Sequence, residues 1–177
     1  MTQTYTPSAD EKLTSVMIYT PQKLIWGGLI SKQVIRVSTW LQSDIAPKYM
    51  SIADAQALVF GAGSSTATLK FPILHIETNL IRAYHIMPPT DESPYFEENE
   101  PNRKMDPVTA MVGIFRLDGT IRMATQSDLK TYLSVSKGDF LPMHDIKMMC
   151  PLMPAIKGIS APFALIRQAD AAFTQGG

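Results

Sequence analysis

The residues best suited to chemistry lie in one stretch of the second half, MHDIKMMCPLM at 143–153. Thioether and thiolate ligands suit Cu(I), an imidazole can join them, and thiolate and thioether side chains also serve as axial haem ligands. The candidate ligands are Met143, His144, Met148 and Cys150. In a strand, however, alternation places Met148 and Cys150 on one face and Met149 on the other, so one metal would need ligands from both sides.

The first half of the chain provides a comparison for these sulfur positions. When the halves are aligned as described below, Met143 falls on Ile52, and Met148, Met149 and Cys150 fall on Ala57, Leu58 and Val59. Methionine and free cysteine act as adaptable hydrophobic residues in irregular cores. We therefore predict that this stretch packs in a core and binds no metal or cofactor, with Cu(I) or haem binding as the alternative.

Other candidates for chemistry are histidines and acids. Besides His144, the chain has His75 and His85, which lack the close spacing of a metal-binding pair and are predicted to be partly buried strand or barrel-rim residues. Asp54 and Asp145 fall at equivalent positions in the two halves. Facing carboxylates could perform acid/base catalysis, but an aspartate that accepts backbone N–H groups at a bend also explains the recurrence. We predict the structural role, no catalytic residues and no enzyme.

Composition limits the class of protein. The 177 residues are 45% hydrophobic and 18% charged, with sixteen basic and sixteen acidic residues and one cysteine. This composition fits one or two folded domains without an overall charge that attracts nucleic acid or an anionic membrane. The absence of an apolar segment of membrane-spanning length, of a signal segment and of paired cysteines leads us to expect a soluble, cytoplasmic protein.

Changes in composition divide the chain into four parts. We predict a flexible tail at 1–14, a first module at 15–87, an acidic, proline-rich linker at 88–107 and a second module at 108–175. Tyr95 and Phe96 in the linker are candidate interaction residues, either as a clip onto a neighbouring domain or as a short docking motif.

Four short matches in the same order indicate an internal repeat of roughly 65 to 75 residues. The first is a hairpin turn in each half, Pro21-Gln22-Lys23 against Asp118-Gly119. The others are a short helix, the strand that follows it and a later proline-containing strand, and their offset drifts from 96 to 92, 91 and 90 residues. The repeat positions are Trp40, Leu41, Tyr49, Ile52, Asp54 and Pro72, matched by Tyr132, Leu133, Phe140, Met143, Asp145 and Pro162.

The order strand, hairpin, strand, short helix, strands predicts a mainly β protein of two tandem small barrels, SH3-like or Sm-like, each with one short helix. VSTWL…YMSIADA and LKTYL…FLPMHDI resemble the helix and following strand of a bacterial small-barrel family catalogued only as a domain of unknown function. The resemblance spans roughly 15–87 and 109–173 and implies the fold alone. The first half departs from it by lacking the Asp-Gly turn.

Two functions fit this organisation. The first is a non-enzymatic module that binds another protein or assembles with itself through the edge strands that small open barrels present. The second is Sm-like binding of RNA or single-stranded DNA, for which Lys23, Lys32, Arg36 and Trp26 supply a modest patch. In the second half Lys130, Lys137, Lys147 and Lys157 are scattered. Zero net charge and the acidic linker favour protein interaction over nucleic-acid binding.

Overall fold

A computed structural model of the chain describes residues 5–61, 68–88, 92, 99–154, 156 and 158–176. The fold is mainly β, because runs of β-branched and aromatic residues alternate between a buried and a more exposed face. The described residues form ten strands, namely β1 (Glu11–Tyr19), β2 (Lys23–Lys32), β3 (Tyr49–Val59), β4 (Thr68–Glu77), β5 (Ala83–Ile86), β6 (Arg103–Val112), β7 (Phe115–Ala124), β8 (Phe140–Met149), β9 (Ile159–Arg167) and β10 (Ala171–Gln175).

The helical segments are short. The α-helix α1 (Leu129–Val135) begins after Asp128, whose carboxylate accepts the Thr131 backbone N–H at 2.7 Å as an N-cap. In the part of the chain that the structure describes, three 3-10 helices occupy Val37–Gln42, Thr78–Leu80 and Gln168–Asp170. The first of these and α1 cover the two stretches that the sequence predicted to be helical.

All ten strands belong to one antiparallel sheet in the order β10-β6-β7-β8-β9-β5-β1-β2-β3-β4. Each half of the chain contributes five adjacent strands, and both halves have the same order, fifth-first-second-third-fourth. The halves meet where β9, the fourth strand of the second half, pairs with β5, the fifth strand of the first. In the described chain the sheet does not close on itself, so β4 and β10 are its two edges.

Among the described residues, two hydrophobic clusters form the core, and each draws residues from both halves. One joins Tyr19 and Ala83 of the first half to Phe115 and Leu117 of the second. The other joins strands β1 to β3 to Phe140, Phe163 and Leu165. The two halves therefore pack as parts of one structure.

The predicted Asp118-Gly119 turn is wrong, because both residues lie inside β7. The hairpin of the second half turns at Gly113 and Ile114, between Val112 and Phe115, which pair with each other. Gly119 is needed for a close approach: a Cβ at this position would lie 2.6 Å from the His144 carbonyl oxygen. When the turn of the second half is placed at 113–114, it lies 92 positions after the first turn at 21–22. This is the same offset that relates the short helices of the two halves.

The strands extend beyond the predicted module boundaries. Strand β1 begins at Glu11, within the segment predicted to be a tail, and β6 begins at Arg103, within the predicted linker. Glu92 of the linker accepts from the Lys12 ammonium at 3.1 Å and from the Ser38 backbone N–H at 2.9 Å. Tyr95 and Phe96 lie outside the described residues.

Candidate interaction site at the sheet edges

The sulfur-rich stretch lies in β8 and the turn after it. Met143, Met148 and Cys150 are buried in the cluster that joins the two halves, and Met149 is half-buried. His144 is buried with its ring 5.3 Å from that of Phe163. Three of the four candidate metal ligands are thus packed in a hydrophobic cluster.

The three histidines occupy separate environments. His85 is buried, its Nδ1 lies 3.0 Å from the Ile86 carbonyl oxygen, and its Nε2 lies 2.9 Å from the Tyr19 hydroxyl. Because a carbonyl only accepts, Nδ1 carries the proton and Nε2 accepts from Tyr19. Burial lowers the pKa of His85 and of His144 and so favours the neutral rings. His75 is exposed beside the Ser51 hydroxyl at 2.8 Å.

Asp54 and Asp145 have the same unusual backbone, with φ of 48° and 49°. Both are exposed, and each interrupts the pairing of its strand with two neighbours. The registers place Asp54 opposite Pro72 and Asp145 opposite Pro162. Because proline has no backbone N–H, the interrupted pairing leaves no donor of Pro72 or Pro162 without a partner. This fits a β-bulge at the equivalent aspartate of each half.

The bulges do not bring the two aspartates together. Four strands, β9, β5, β1 and β2, separate β8 from β3 in the sheet. Glycines face both bulges: a Cβ on Gly27 would lie 2.7 Å from the Ala53 carbonyl oxygen, as one on Gly119 would lie close to His144. The recurring aspartates thus mark a backbone feature of the sheet.

The basic residues of the proposed nucleic-acid patch are dispersed. Lys23 and Lys32 are at opposite ends of β2, roughly 30 Å apart at the usual rise per residue. Lys32 forms an ion pair with Asp10, and Arg36 hydrogen-bonds to Ser38. Trp26 packs half-buried against the core. In the second half Lys130 is in α1 and Lys147 in β8.

The other repeat positions occupy matching elements. Trp40 and Leu41 lie in the 3-10 helix of the first half and Tyr132 and Leu133 in α1. Tyr49 and Phe140 are the first residues of β3 and β8, although Tyr49 is exposed and Phe140 is buried. Ile52 and Met143 are fully buried in the same two strands.

The pairing of β5 with β9 forms a seam between the halves that combines backbone, polar and apolar contacts. Ala83 lies opposite Ile166, Tyr84 lies opposite Leu165, and the Arg167 backbone N–H donates to the Arg82 carbonyl at 2.8 Å. Beneath the strands, the Tyr19 and Phe115 rings meet edge to face at 5.0 Å.

Arginine side chains form hydrogen bonds and an ion pair between the two halves at the end of this seam. Arg167 donates through Nε to the Ile81 carbonyl and through Nη2 to the Thr78 carbonyl, both at 2.8 Å. Its guanidinium also lies 4.6 Å from the centre of the Phe140 ring. Arg82 of the first half forms an ion pair with Asp170 of the second.

Within the described residues, the outer edge of β4 presents backbone groups that no other strand pairs with. The Thr78 N–H donates to the Lys48 carbonyl at 2.9 Å, toward β3. Because N–H directions alternate along a strand, the N–H groups of His75 and Glu77 point away from β3. By the same alternation, the Gly176 N–H donates to the Pro107 carbonyl, so the Phe173 N–H of β10 points away from β6.

Apolar side chains accompany these edges. A groove of about 330 Å³ beside β4 is lined mainly by apolar residues, among them Ile25, Leu69 and Phe71. Ile73 of β4 is 40% exposed and Met111, beside β10, is 41% exposed. Unpaired strand edges next to apolar surface are the features by which sheets take up further strands.

The sequence predicts the edge strands of two small open barrels, whereas the described residues form one sheet whose edges are β4 and β10. The edges depend on the pairing of β5 with β9, which no local pattern predicts. The sequence does carry one signal for the edge strand β4: the polar His75 occupies the position that is equivalent to the apolar Leu165 in the second half.

Within the described residues, no three His, Cys, Asp or Glu side chains are grouped so that they could hold a metal ion. No helix in the described part of the chain is both long and apolar enough to cross a membrane. Comparison with protein-family models, with curated proteins and with solved structures finds no match to this chain.

Proposed function

We propose that this chain is a non-enzymatic protein of two tandem small-barrel modules that takes up a polypeptide strand at an edge of its sheet. The two halves are interpreted as copies of one SH3-like or Sm-like module. Their common strand order and their paired bulges at Asp54 and Asp145 support this interpretation. The offset of 92 that relates Gly27 to Gly119 also relates the first turns.

One observation carries the proposal: the chain already uses strand addition to join its own halves. The seam between β5 and β9 buries apolar side chains beneath a short antiparallel pairing. The counterpart edges β4 and β10 have no strand beside them in the described chain. Main-chain hydrogen bonds would provide the affinity for an added strand, and the groove beside β4 would select its apolar side chains.

The test is a selection of displayed random peptides on the wild-type protein, followed by binding measurements on purified variants. We expect peptides with apolar residues at alternate positions. His75→Pro should abolish their binding because it removes an N–H that points outward, while His75→Ala, which keeps this N–H, should bind as the wild type does.

Two controls make the result decisive. The far-UV circular dichroism and melting temperature of both His75 variants should match those of the wild type, because the outward N–H has no partner within the sheet. Equal binding to His75→Pro and His75→Ala, or no enrichment of extended apolar peptides, would contradict strand addition at β4.

A further inference from the structure

We infer that the polypeptide taken up by β4 is β10 of a second copy of this chain, so that copies join head to tail. This inference rests on the proposed function, because it names the occupant of the same edge. The template is the seam within the chain, where the fourth strand of one half pairs with the fifth strand of the other. The two outer edges are again a fourth strand, β4, and a fifth strand, β10.

The seam predicts the register of the contact between copies. Pro72 and Pro162 relate β4 to β9 by 90 positions. Val16 pairs with Ile86, and its counterpart Val108 pairs with Gln175, which relates β5 to β10 by 89 positions.

When the register of the β5–β9 pairing is shifted by these two offsets, it gives the residue pairs between β4 of one copy and β10 of a second copy. Ile76 then lies opposite Ala172 of the second copy, and His75 lies opposite Phe173. The Glu77 N–H donates to the Ala171 carbonyl, as the Arg167 N–H does to that of Arg82 within the chain.

Exposed apolar residues occur at the outer edges where the seam buries their counterparts. Tyr19 is fully buried at the seam, and its counterpart Met111 is 41% exposed. Phe163 is buried, and its counterpart Ile73 is 40% exposed. A second copy placed by the seam geometry would cover both Met111 and Ile73, which provides a hydrophobic driving force for the contact.

The groove beside β4 also has a filled counterpart. Its lining residues Ile25, Leu69 and Phe71 correspond to three residues of the second half, namely Leu117, Ile159 and Ala161. These three contact the hydrophobic cluster that contains Tyr19 and Ala83. Met111 and Ala172 of the second copy would enter the open groove in the same way. Methionine suits this role, since its flexible thioether side chain adapts to irregular apolar surfaces.

The polar rim of the seam is absent from the outer edges. Glu77 replaces Arg167 and cannot donate to carbonyls, and Leu80 and Ala171 replace Asp170 and Arg82. The contact between copies therefore rests on backbone pairing and apolar burial. We expect a weaker, concentration-dependent association, which forms rings or filaments according to whether the rotation between copies closes.

The experiment uses two full-length variants, each with one edge blocked. His75→Pro removes the outward N–H of β4, and Phe173→Pro removes that of β10. Light scattering coupled to size exclusion is run over a concentration series on the wild type, on each variant and on their equimolar mixture. His75→Ala and Phe173→Leu, which keep the N–H groups, are the matched controls.

We expect the wild type and the controls to assemble and each proline variant alone to stay at the chain mass of 19.6 kDa. The mixture should form a species of twice this mass and nothing larger, because only one β4 and one β10 remain able to pair. A monomeric wild type at every concentration would overturn the inference.

Other outcomes separate this inference from the proposed function. If Phe173→Pro still self-associates and His75→Pro does not, β4 pairs with a second β4; strand addition then stands and the head-to-tail contact fails. If His75→Pro assembles as the wild type does, self-association through β4 fails altogether. The displayed peptides test the proposed function even when the chain is monomeric.

A gain of association provides an independent check. Glu77→Arg introduces at β4 the arginine that fastens the seam, with carbonyls of the second copy within its reach. We expect a lowering of the dissociation constant by about tenfold, the size of effect for hydrogen bonds from a charged donor. Glu77→Gln, which removes the charge without adding a guanidinium, should change the constant much less; equal effects would contradict the predicted register.

Discussion

At the residue scale, the glycines and aspartates of the bulges illustrate how local patterns mislead. Asp118-Gly119 has the composition of a hairpin turn, yet it is in the middle of β7. The glycine is required because the β8 backbone approaches it so closely that no side chain fits. Proximity of a neighbouring strand is a tertiary property, so the dipeptide alone could not distinguish a turn from a strand position that faces a bulge.

Substitution of the two bulge glycines tests this interpretation. Gly27→Ala and Gly119→Ala place a Cβ less than 3 Å from backbone carbonyl oxygens, at 2.7 and 2.6 Å. Each should lower the free energy of unfolding by about 1–3 kcal/mol, measured by urea denaturation. Gly61→Ala, which meets nothing within 4 Å, is the control and should change it by less than about 0.5 kcal/mol.

At the element scale, the two strands that carry bulges, β3 and β8, explain why an aspartate recurs. Each bulge requires a left-handed residue, and aspartate accepts this conformation better than most side chains do. The opposite proline removes a donor that the bulge would leave unpaired. The aspartates were identified in the sequence as equivalent, but their backbone conformation depends on pairing with distant strands.

Substitutions at Asp145 separate a need for backbone conformation from a need for the carboxylate. Asp145→Gly should keep or raise the free energy of unfolding, because glycine adopts positive φ without strain. Asp145→Val should lower it by about 1–3 kcal/mol. Lys147→Val is the control, because Lys147 is exposed in β8 and does not have a positive φ. This substitution should change the free energy of unfolding little. A loss for Asp145→Gly as large as that for Asp145→Val would show that the carboxylate itself is required, because both variants lack it.

At the scale of the whole molecule, the shared core makes the halves interdependent. Both hydrophobic clusters cross the seam, and the edge-to-face pair of Tyr19 and Phe115 lies within one of them. Separating the halves would expose apolar residues that are now fully buried. The chain is therefore expected to unfold in one cooperative step, in contrast to two independent modules on a tether.

Two spectroscopic probes can test this cooperativity, because both tryptophans, Trp26 and Trp40, belong to the first half. Tryptophan fluorescence thus reports on one half, while far-UV circular dichroism reports on the strands of both. In a urea titration the two transitions should share one midpoint and one slope. A circular dichroism curve with two steps, only one of which coincides with the fluorescence change, would contradict a single cooperative unit.

The sequence by itself determined the mainly β class, the short helical segments and the burial of the sulfur-rich stretch in β8. These follow from alternation, from the helical spacing of apolar residues and from apolar character, which act within a few residues. Only the tertiary structure decided that Asp118-Gly119 lies within β7 opposite the bulge of β8, that β5 pairs with β9, and that β4 and β10 are the edges of the described sheet. The reason is that strand pairing joins residues far apart in the chain, and nothing local to either strand specifies its partner.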